Sequence, residues 1–276
     1  MNIPETISKF LIGDIGKLLF ILLIVVLFSL IEYYFPAEKG QTIRGKARNL
    51  GIIALFLFLG GSLAALVSAY VNVDPQELAY SSVLVSAGVV VLYLFVGDFF
   101  FYWYHRAEHA FPFLWSIHEL HHSDEELNVT SGFRTFFLER PVQYLIITIP
   151  TYYTLSATPL KEVVSLDPVS AMLFPAIFLA WLFFVHTNVR LTLGPFTKVV
   201  TGPQLHRLHH SKEEKHLDSN FAQFFPIYDI LFGTYVGPER TEFPKTGTRS
   251  LHTNVTLGEI LFKPFRDWSR MVRKPH

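Results

Sequence analysis

Uncharged apolar stretches dominate the first two thirds of the chain and set its predicted architecture. A helix needs about 20 residues to cross a bilayer. Stretches near that length run from Leu18 to Phe35, Leu50 to Val73, Tyr80 to Tyr104, Pro141 to Leu160 and Pro168 to Val185. Pro150 and Pro159 interrupt the fourth, which makes it the weakest candidate. The pattern predicts an all-α, multi-pass transmembrane bundle of four or five segments.

Residues 187–276 mix polar and apolar positions, which predicts a helical cap outside the bilayer. Within it, Thr256 and Glu259 have the spacing of a capping box. The helix that this box starts would carry Leu257, Phe265 and Trp268 toward lipid and its arginines toward headgroups. A simple surface helix on the cap is the alternative. Residues 4–16 are predicted to form a short interfacial helix.

The distribution of basic residues predicts the orientation. The loop after the first apolar stretch carries Lys39, Arg44, Lys46 and Arg48, whereas the loop after the second has no Lys or Arg. Because basic loops stay in the cytosol, the first loop is assigned to that side. The ends of the third and fifth stretches and the cap then also face the cytosol. Whether the membrane is the endoplasmic reticulum or a bacterial inner membrane is left open.

Composition agrees with a membrane protein and excludes several other classes. Half of the residues are hydrophobic and 17% are charged, against roughly 25% charged residues in soluble domains. The formal net charge is zero, so nothing indicates a nucleic-acid partner. The chain has no cysteine, which excludes disulfides, thiolate metal ligands and iron–sulfur clusters.

Ten of the twelve histidines form a pattern typical of metal sites. There is one HxxxH box, there are two HxxHH boxes, and positions i, i+3 and i+4 share one helix face. Another histidine closes the fifth apolar stretch, and one more follows the second HxxHH box. Because one ion takes about four to six ligands, ten histidines predict two ions. The candidate ligands are His105, His109, His118, His121, His122, His186, His206, His209, His210 and His216. His252 and His276 have no partner at helical spacing and are predicted to be spectators.

With these motifs the chain resembles the fatty acid hydroxylase / sterol desaturase superfamily of membrane di-iron enzymes. The resemblance covers residues 94–236. Besides the boxes it includes Ser123-Asp124, Arg134, Glu139, His186-Thr-Asn188, Asn220-Phe221 and the segment from Asp229 to Thr234. Two departures stand out. Many members carry a His-Pro pair where Phe136 and Phe137 stand here, and Tyr228 replaces a common tryptophan.

The resemblance implies a fold, a cofactor and a reaction. Residues 1–90 would be N-terminal membrane helices, 91–236 the catalytic domain and 237–276 an interfacial tail. The histidines would hold two iron ions that use O2 to hydroxylate a C–H bond of a lipid from the bilayer. Removal of a second hydrogen would give an alkene instead. Because the chain has no dinucleotide fingerprint, electrons would come from an external carrier and reductase of the cytochrome-b or ferredoxin type. The lipid and the oligomeric state are left open.

Residues that hold the ligands in place are also predicted. Asp98, Asn188 and Asn220 are candidates for hydrogen bonds to ligand imidazoles, although Asp98 is nearly as well explained as a helix-packing residue. Glu108 and Glu119 are further candidates, for which surface exposure is the favoured interpretation.

Three alternatives to lipid hydroxylation were weighed at this stage. Desaturation would use the same site. A zinc-dependent membrane hydrolase would need only one metal ion, which leaves a surplus of histidines. A metal transporter should hold its ligands near the bilayer midplane, whereas these histidines lie at the ends of the apolar stretches.

Overall fold

The computed structural model describes residues 14–55, 83–157 and 168–273. Within these ranges the regular structure is helical, and extended pairing is limited to two isolated bridges, Pro36 with Val189 and Ser211 with Thr246. The all-α prediction is therefore confirmed. Most of the predicted interfacial helix at residues 4–16 and of the second apolar stretch lies outside the described residues.

Nine helices are described, and we number them along the chain. They are α1 (Asp14–Tyr34), α2 (43–55), α3 (Val83–Ala110), α4 (Pro112–His122), α5, α6 (Pro168–Val185), α7 (Pro203–His209), α8 (Ile227–Leu231) and α9 (Leu257–Arg273). Helix α5 joins Glu139–Gln143, a π-helical turn at Tyr144–Thr148 and Ile149–Ser156 without a break. Short 3-10 turns lie at Val129–Phe133, Gly194–Lys198 and Glu214–His216.

Among the described helices, one is long and apolar enough to cross a membrane, over Leu84–Ala110 in α3. Leu19–Tyr34 and Ala176–Val185 are apolar but shorter. Exposed leucines on α1, among them Leu22 at 58% and Leu23 at 63%, leave a wide apolar surface on that helix. These features fit a membrane environment, but the number of spans remains a prediction.

Helix α3 is the centre of the described fold, because α4, α5 and α6 all pack against it. Aromatic side chains fill the space between α3, α6 and the segment that precedes α8. Trp181 on α6 stacks on Phe224 with 5.6 Å between ring centroids, and Tyr93 on α3 lies 6.0 Å from Phe174 on α6. This packing aligns the C-terminal ends of α3 and α6, which carry histidines.

Glu32 ties the end of α1 to two histidine-bearing segments. Its carboxylate is buried and accepts the backbone N–H of Val129 at 2.6 Å and of Asn188 at 2.9 Å, while Lys46 donates to it at 2.5 Å. Val129 follows the first HxxHH box and Asn188 follows His186. The buried charge therefore joins three segments, and it places the basic loop after α1 on the side of the histidines.

Helix α9 begins with the predicted capping box. Glu259 accepts from the backbone N–H and the hydroxyl of Thr256, both at 2.8 Å, and Thr256 accepts the Glu259 N–H in return. One flank packs on α4, where Trp268 stacks on Phe113 at 4.4 Å. The other flank exposes apolar side chains, including Phe262 at 58%. The helix thus docks on the protein with one flank and leaves apolar side chains exposed on the other.

Candidate metal centre

Four helix ends deliver the histidines to one place. His105 and His109 lie in the last turns of α3, and His186 directly follows α6. The first HxxHH box lies at the end of α4. The second lies in α7 and includes the residue after that helix, His210. Each of these helices begins at a proline, Pro112 in α4 and Pro203 in α7. Proline suits this position because the first helical N–H has no partner within the helix.

Nine of the ten predicted ligands assemble into two clusters. The first cluster consists of His105, His109, His118, His122 and His209, with one nitrogen of each within 4.8 Å of the others. The Nε2 atoms of His105 and His118 are 3.1 Å apart, those of His109 and His122 3.1 Å, and those of His118 and His122 3.0 Å. His109 is partly exposed, and the other four are buried.

The second cluster consists of His121, His186, His206 and His210. Its Nε2 separations are 3.2 Å between His121 and His186, 3.0 Å between His186 and His206, and 3.2 Å between His206 and His210. All four side chains are buried. The rings of His210 and His122 stack at 4.4 Å and connect the two clusters.

Each HxxHH box divides its histidines between both clusters. His118 and His122 face the first cluster and His121 the second, whereas His206 and His210 face the second and His209 the first. Viewed down the helix axis, position i+4 lies about 40° to one side of position i, and position i+3 lies about 60° to the other side. Each box can therefore contribute ligands in two directions. The middle histidine of each box joins the cluster that holds the other two histidines of the opposite box.

The outer nitrogen of several rings is held by an oxygen. A carbonyl can only accept a hydrogen bond, so an Nδ1 that faces one must carry the proton. Its Nε2 is then left with a lone pair that points into the cluster. Three rings are fixed in this way, each at 2.7 Å: His105 on Phe221, His209 on Ser219 and His186 on Leu182.

This arrangement fits metal ions. Two nitrogens bound at about 2.1 Å to one ion and at right angles are about 3.0 Å apart, close to the separations in both clusters. Burial lowers the pKa of His122, His206, His209 and His210 well below the usual value, and neighbouring histidines lower it further. These rings are therefore neutral at pH 7. His209 Nε2 is buried and has no hydrogen-bond partner, which a cation in the first cluster would explain.

Two buried glutamates flank His118 on the side away from the cluster. Its Nδ1 lies 3.3 Å from the carboxylate of Glu139 and 3.5 Å from that of Glu108. Both glutamates are at most 2% exposed, so the favoured interpretation of Glu108 as a surface residue is wrong. Glu119 is equally buried, but it contacts Ser250 and Lys263 rather than a histidine. Buried carboxylates offset cationic charge that neutral ligands leave uncompensated.

Asp98 acts on the backbone rather than on an imidazole. Its oxygens accept the N–H groups of Gln223, Phe224 and Phe225 at 2.8, 3.0 and 2.6 Å. The structure thus agrees with the packing alternative for Asp98.

Asp229 also binds the backbone, at the two residues that precede Gln223. It accepts the N–H groups of Phe221 and Ala222 at 2.7 and 3.0 Å. The two aspartates together hold residues 221–225, and Phe221 in turn holds His105. Their effect on the histidines is therefore indirect.

The two predicted asparagines also contact other groups. Asn188 accepts from Arg207 at 3.2 Å and from the backbone of Glu38 at 3.0 Å, which ties α7 to the loop after α1. Asn220 pairs with the backbone of Val236 and has φ +57°, a left-handed conformation that asparagine tolerates. Neither asparagine hydrogen-bonds a clustered histidine.

His216 is placed apart from both clusters. It is buried, with Nδ1 3.0 Å from the Ser211 hydroxyl and Nε2 3.2 Å from Glu242. It belongs to a group with Glu213 and Glu242 instead. His252 is exposed at 76% of its side chain, in agreement with its prediction as a spectator.

Comparisons with known proteins give the family. The model of the fatty acid hydroxylase family matches residues 90–234, more than half of the chain. The chain belongs to the fatty acid hydroxylase family. The match includes both HxxHH boxes, His186 and the loop held by Asp98 and Asp229. No solved structure matches the chain.

The relatives of this family member modify lipids, according to their names. It is 30% identical to the ornithine lipid hydroxylase OlsE of Rhizobium tropici over 91% of the chain and 75% of that protein. It is 29% identical to an alkylglycerol monooxygenase of Xenopus tropicalis over 62% of the chain and 34% of that protein. A Delta(7)-sterol 5(6)-desaturase of Gibberella zeae is 29% identical over 56% and 39%. The chain spans about a third of the length of the alkylglycerol monooxygenases it matches.

The contact between Glu139 and His118 generates a prediction on metal affinity. Glu139→Ala removes an acceptor from Nδ1 and should lower the metal affinity of the first cluster about 10- to 100-fold. Glu119→Ala is the matched control, because this equally buried carboxylate of α4 points to Lys263 and should leave the affinity unchanged. Competition with a chelator of known affinity measures both. Equal affinities of the two variants would contradict the assignment of Glu139.

Proposed function

We propose that this chain is a membrane di-iron oxygenase that hydroxylates a C–H bond of a lipid. One observation carries the proposal: two interlocked clusters of five and four imidazoles, whose inner nitrogens face each other at metal-binding distances. Iron is favoured over zinc because five histidines exceed the four-coordinate sites typical of zinc. Family membership and the names of the relatives support the lipid substrate.

The reaction needs two electrons in addition to O2. A C–H bond, O2, two electrons and two protons give an alcohol and one water. The iron ions would supply O2 activation and abstraction of hydrogen. The chain's own residues would hold the imidazoles neutral, fix their Nδ1 protons on carbonyls and carboxylates, and keep eight of the nine rings out of water. The electrons would come from an external carrier and reductase of the cytochrome-b or ferredoxin type.

Desaturation is the second candidate, and the sterol desaturase among the relatives favours it. The same site would remove two hydrogens from adjacent carbons. With two electrons and two protons from outside, O2 would be reduced to two water molecules. A single-zinc hydrolase is disfavoured because one four-coordinate ion would leave at least five of the nine clustered histidines without a role.

Turnover under 18O2 tests the reaction. We expect lipid oxidation to depend on O2 and on an added reductant with its carrier, and the new hydroxyl to carry 18O. Mass analysis of the lipid extract measures both. Loss of two hydrogens without label would identify a desaturase. Cleavage of the lipid without O2, with the new oxygen coming from water, would reject both candidates.

Metal content tests the interlocked assignment. His105→Ala with His209→Ala strikes only the first cluster and should lower the content from two ions per chain to one. The double variant His105→Ala, His206→Ala changes one histidine in each cluster and should remove both ions. His206 and His209 belong to the same box, so the two double variants differ only in the cluster that the second substitution affects. His252→Ala should retain two ions. Elemental analysis of anaerobically purified, folded protein decides, and equal loss in both double variants would contradict the assignment.

We also propose a multi-pass membrane topology with the metal centre in the cytosol. The basic loop after α1 lies beside the histidines, since Glu38 pairs with Arg207 of α7 at 2.6 Å. Lys39 and Arg44 of this loop are exposed. Basic loops favour the cytosolic side, so the histidines and the cap would share that side. The division into residues 1–90, 91–236 and 237–276 remains a prediction.

Single cysteines test this topology, because the chain has none of its own. Asn254→Cys lies at an exposed position near α9 and should react with a membrane-impermeant maleimide only after cells are permeabilised. Gln76→Cys lies in the loop predicted on the opposite side and should react in intact cells. The reverse pattern would overturn the cytosolic placement and leave the metal assignment untouched.

A further inference from the structure

Helix α8 runs alongside the apolar part of α3. The hydroxyl of Tyr228 in α8 donates to the backbone carbonyl of Phe95 at 2.8 Å. At the other end, Phe232 directly after α8 lies 4.8 Å from Trp103 between ring centroids. Phe95 precedes His105 by about 15 Å of helix. Helix α8 therefore lies beside the membrane-compatible stretch of α3 and not beyond its histidine-bearing end.

Trp103 and Arg106 mark the level on α3 at which the apolar stretch ends. From Leu84 to Trp103 the only charged residue is Asp98, which is buried. The guanidinium of Arg106 lies 5.5 Å from the centre of the Trp103 ring. Tryptophan and basic side chains are enriched where the hydrocarbon of a bilayer meets the headgroups. Helix α8 lies on the hydrocarbon side of this level.

The outer surface of α8 is apolar. Between residues 221 and 233, the exposed residues are Ile227, Ile230, Leu231, Phe232 and Gly233. Leu231 is 66% exposed, whereas the charged residue of this helix, Asp229, is buried. Tyr228 joins the surface to exposed rings of α3, since it lies 5.3 Å from Phe95 and 5.7 Å from Phe99. The exposed side of α8 thus continues the apolar surface of α3.

The irregular backbone that leads into α8 has its polar groups satisfied within the protein. Asp98 and Asp229 accept the N–H groups of residues 221–225. The carbonyls of residues 221–224 also have donors, which are, in order, the His105 ring, the Thr201 hydroxyl, the Trp181 indole and the Thr201 backbone N–H. Non-helical backbone at membrane depth is tolerated only with such partners, because lipid offers none.

From these observations we propose that residues 221–232 form a re-entrant segment, with α8 embedded among the acyl chains of the cytosolic leaflet. Lipid is the occupant of the exposed apolar surface, because that surface is continuous with α3 and lies on the hydrocarbon side of Trp103. The proposal changes the predicted architecture, in which residues 187–276 lie wholly outside the bilayer. It rests on the proposed membrane topology and is independent of the reaction.

The re-entrant segment sets the depth of the first cluster. The carbonyl of Phe221 accepts from His105 at 2.7 Å, and that of Ser219, two residues earlier, accepts from His209 at 2.7 Å. The segment therefore connects the lipid-embedded α8 to two rings of this cluster. His105 follows Trp103 by about 3 Å of helix, which places the first cluster at the level of the headgroups.

Depth-dependent fluorescence quenching tests the proposal, because the chain has no cysteine and can be labelled at a single introduced one. The full chain with Leu231→Cys is labelled with the NBD fluorophore and reconstituted into phosphatidylcholine nanodiscs. The nanodiscs contain lipids with a nitroxide near either the headgroup end or the methyl end of an acyl chain. We expect several-fold quenching by the nitroxide near the headgroup and little quenching by iodide in the water. Ile230→Cys, on the same exposed surface, should behave alike.

Two positions provide controls. Glu214→Cys replaces a side chain in the cap that is 80% exposed, and its label should be quenched by iodide and by neither lipid. Val91 is exposed on α3, about 18 Å before Trp103. The label on Val91→Cys should be quenched most by the nitroxide near the methyl end. Metal content at the wild-type value shows that each labelled protein is folded.

The outcomes separate this inference from the proposed topology and function. Quenching of the Leu231 label by iodide and not by lipid would place α8 in water and overturn the proposal. Protection from both quenchers would show that protein, such as a second copy of the chain, covers α8, and would overturn it as well. Lipid quenching of the Val91 label alone would reject the re-entrant segment and leave the topology intact. Absence of lipid quenching at both positions would reject the membrane placement of α3 together with this inference.

Discussion

The packing of nine imidazoles, eight of them buried, with their inner nitrogens facing each other is the constraint on which the structure depends. Neutral nitrogens at about 3 Å repel each other through their lone pairs unless a proton or a cation lies between them. Burial opposes protonation of these rings, and His122 and His209 accordingly have pKa values well below normal. A cation in each cluster would resolve the conflict. The surrounding carbonyls and carboxylates then serve to orient the rings, as outer partners of metal-binding histidines generally do.

The interlocked boxes explain why so many histidines occur at such regular spacing. In each box the middle histidine points away from the other two. His121 of α4 joins the second cluster, and His209, the last residue of α7, joins the first. Neither cluster can be complete unless both helices are in place. Metal binding would therefore stabilise the assembly of α4 against α7. This coupling is typical of proteins in which metal-binding free energy contributes to folding.

The sequence predicted which histidines assemble better than it predicted the contacts around them. Helical spacing acts within one element, so it correctly grouped the boxes and the capping box of Thr256 and Glu259. It could not show that Asp98 meets the backbone of residues 223–225, because that contact joins positions more than 120 residues apart. Backbone carbonyls such as that of Phe221 leave no signal in a sequence at all. His216 was predicted as a ligand although it has no box spacing to the others, and the structure places it apart from both clusters.

Access distinguishes the two clusters and argues against equivalent roles for two bound ions. The second cluster has four histidines, all buried, which resembles a closed coordination shell. The first has five, but its partly exposed His109 lies on a cavity from the surface. A substrate that entered through this cavity would meet His109, His122 and His209 of the first cluster and none of the histidines of the second. The ion in the first cluster would therefore be the one next to the substrate. The stacked rings of His122 and His210 connect the two clusters, so an ion held by the second cluster would lie beside the first cluster without contacting the lipid.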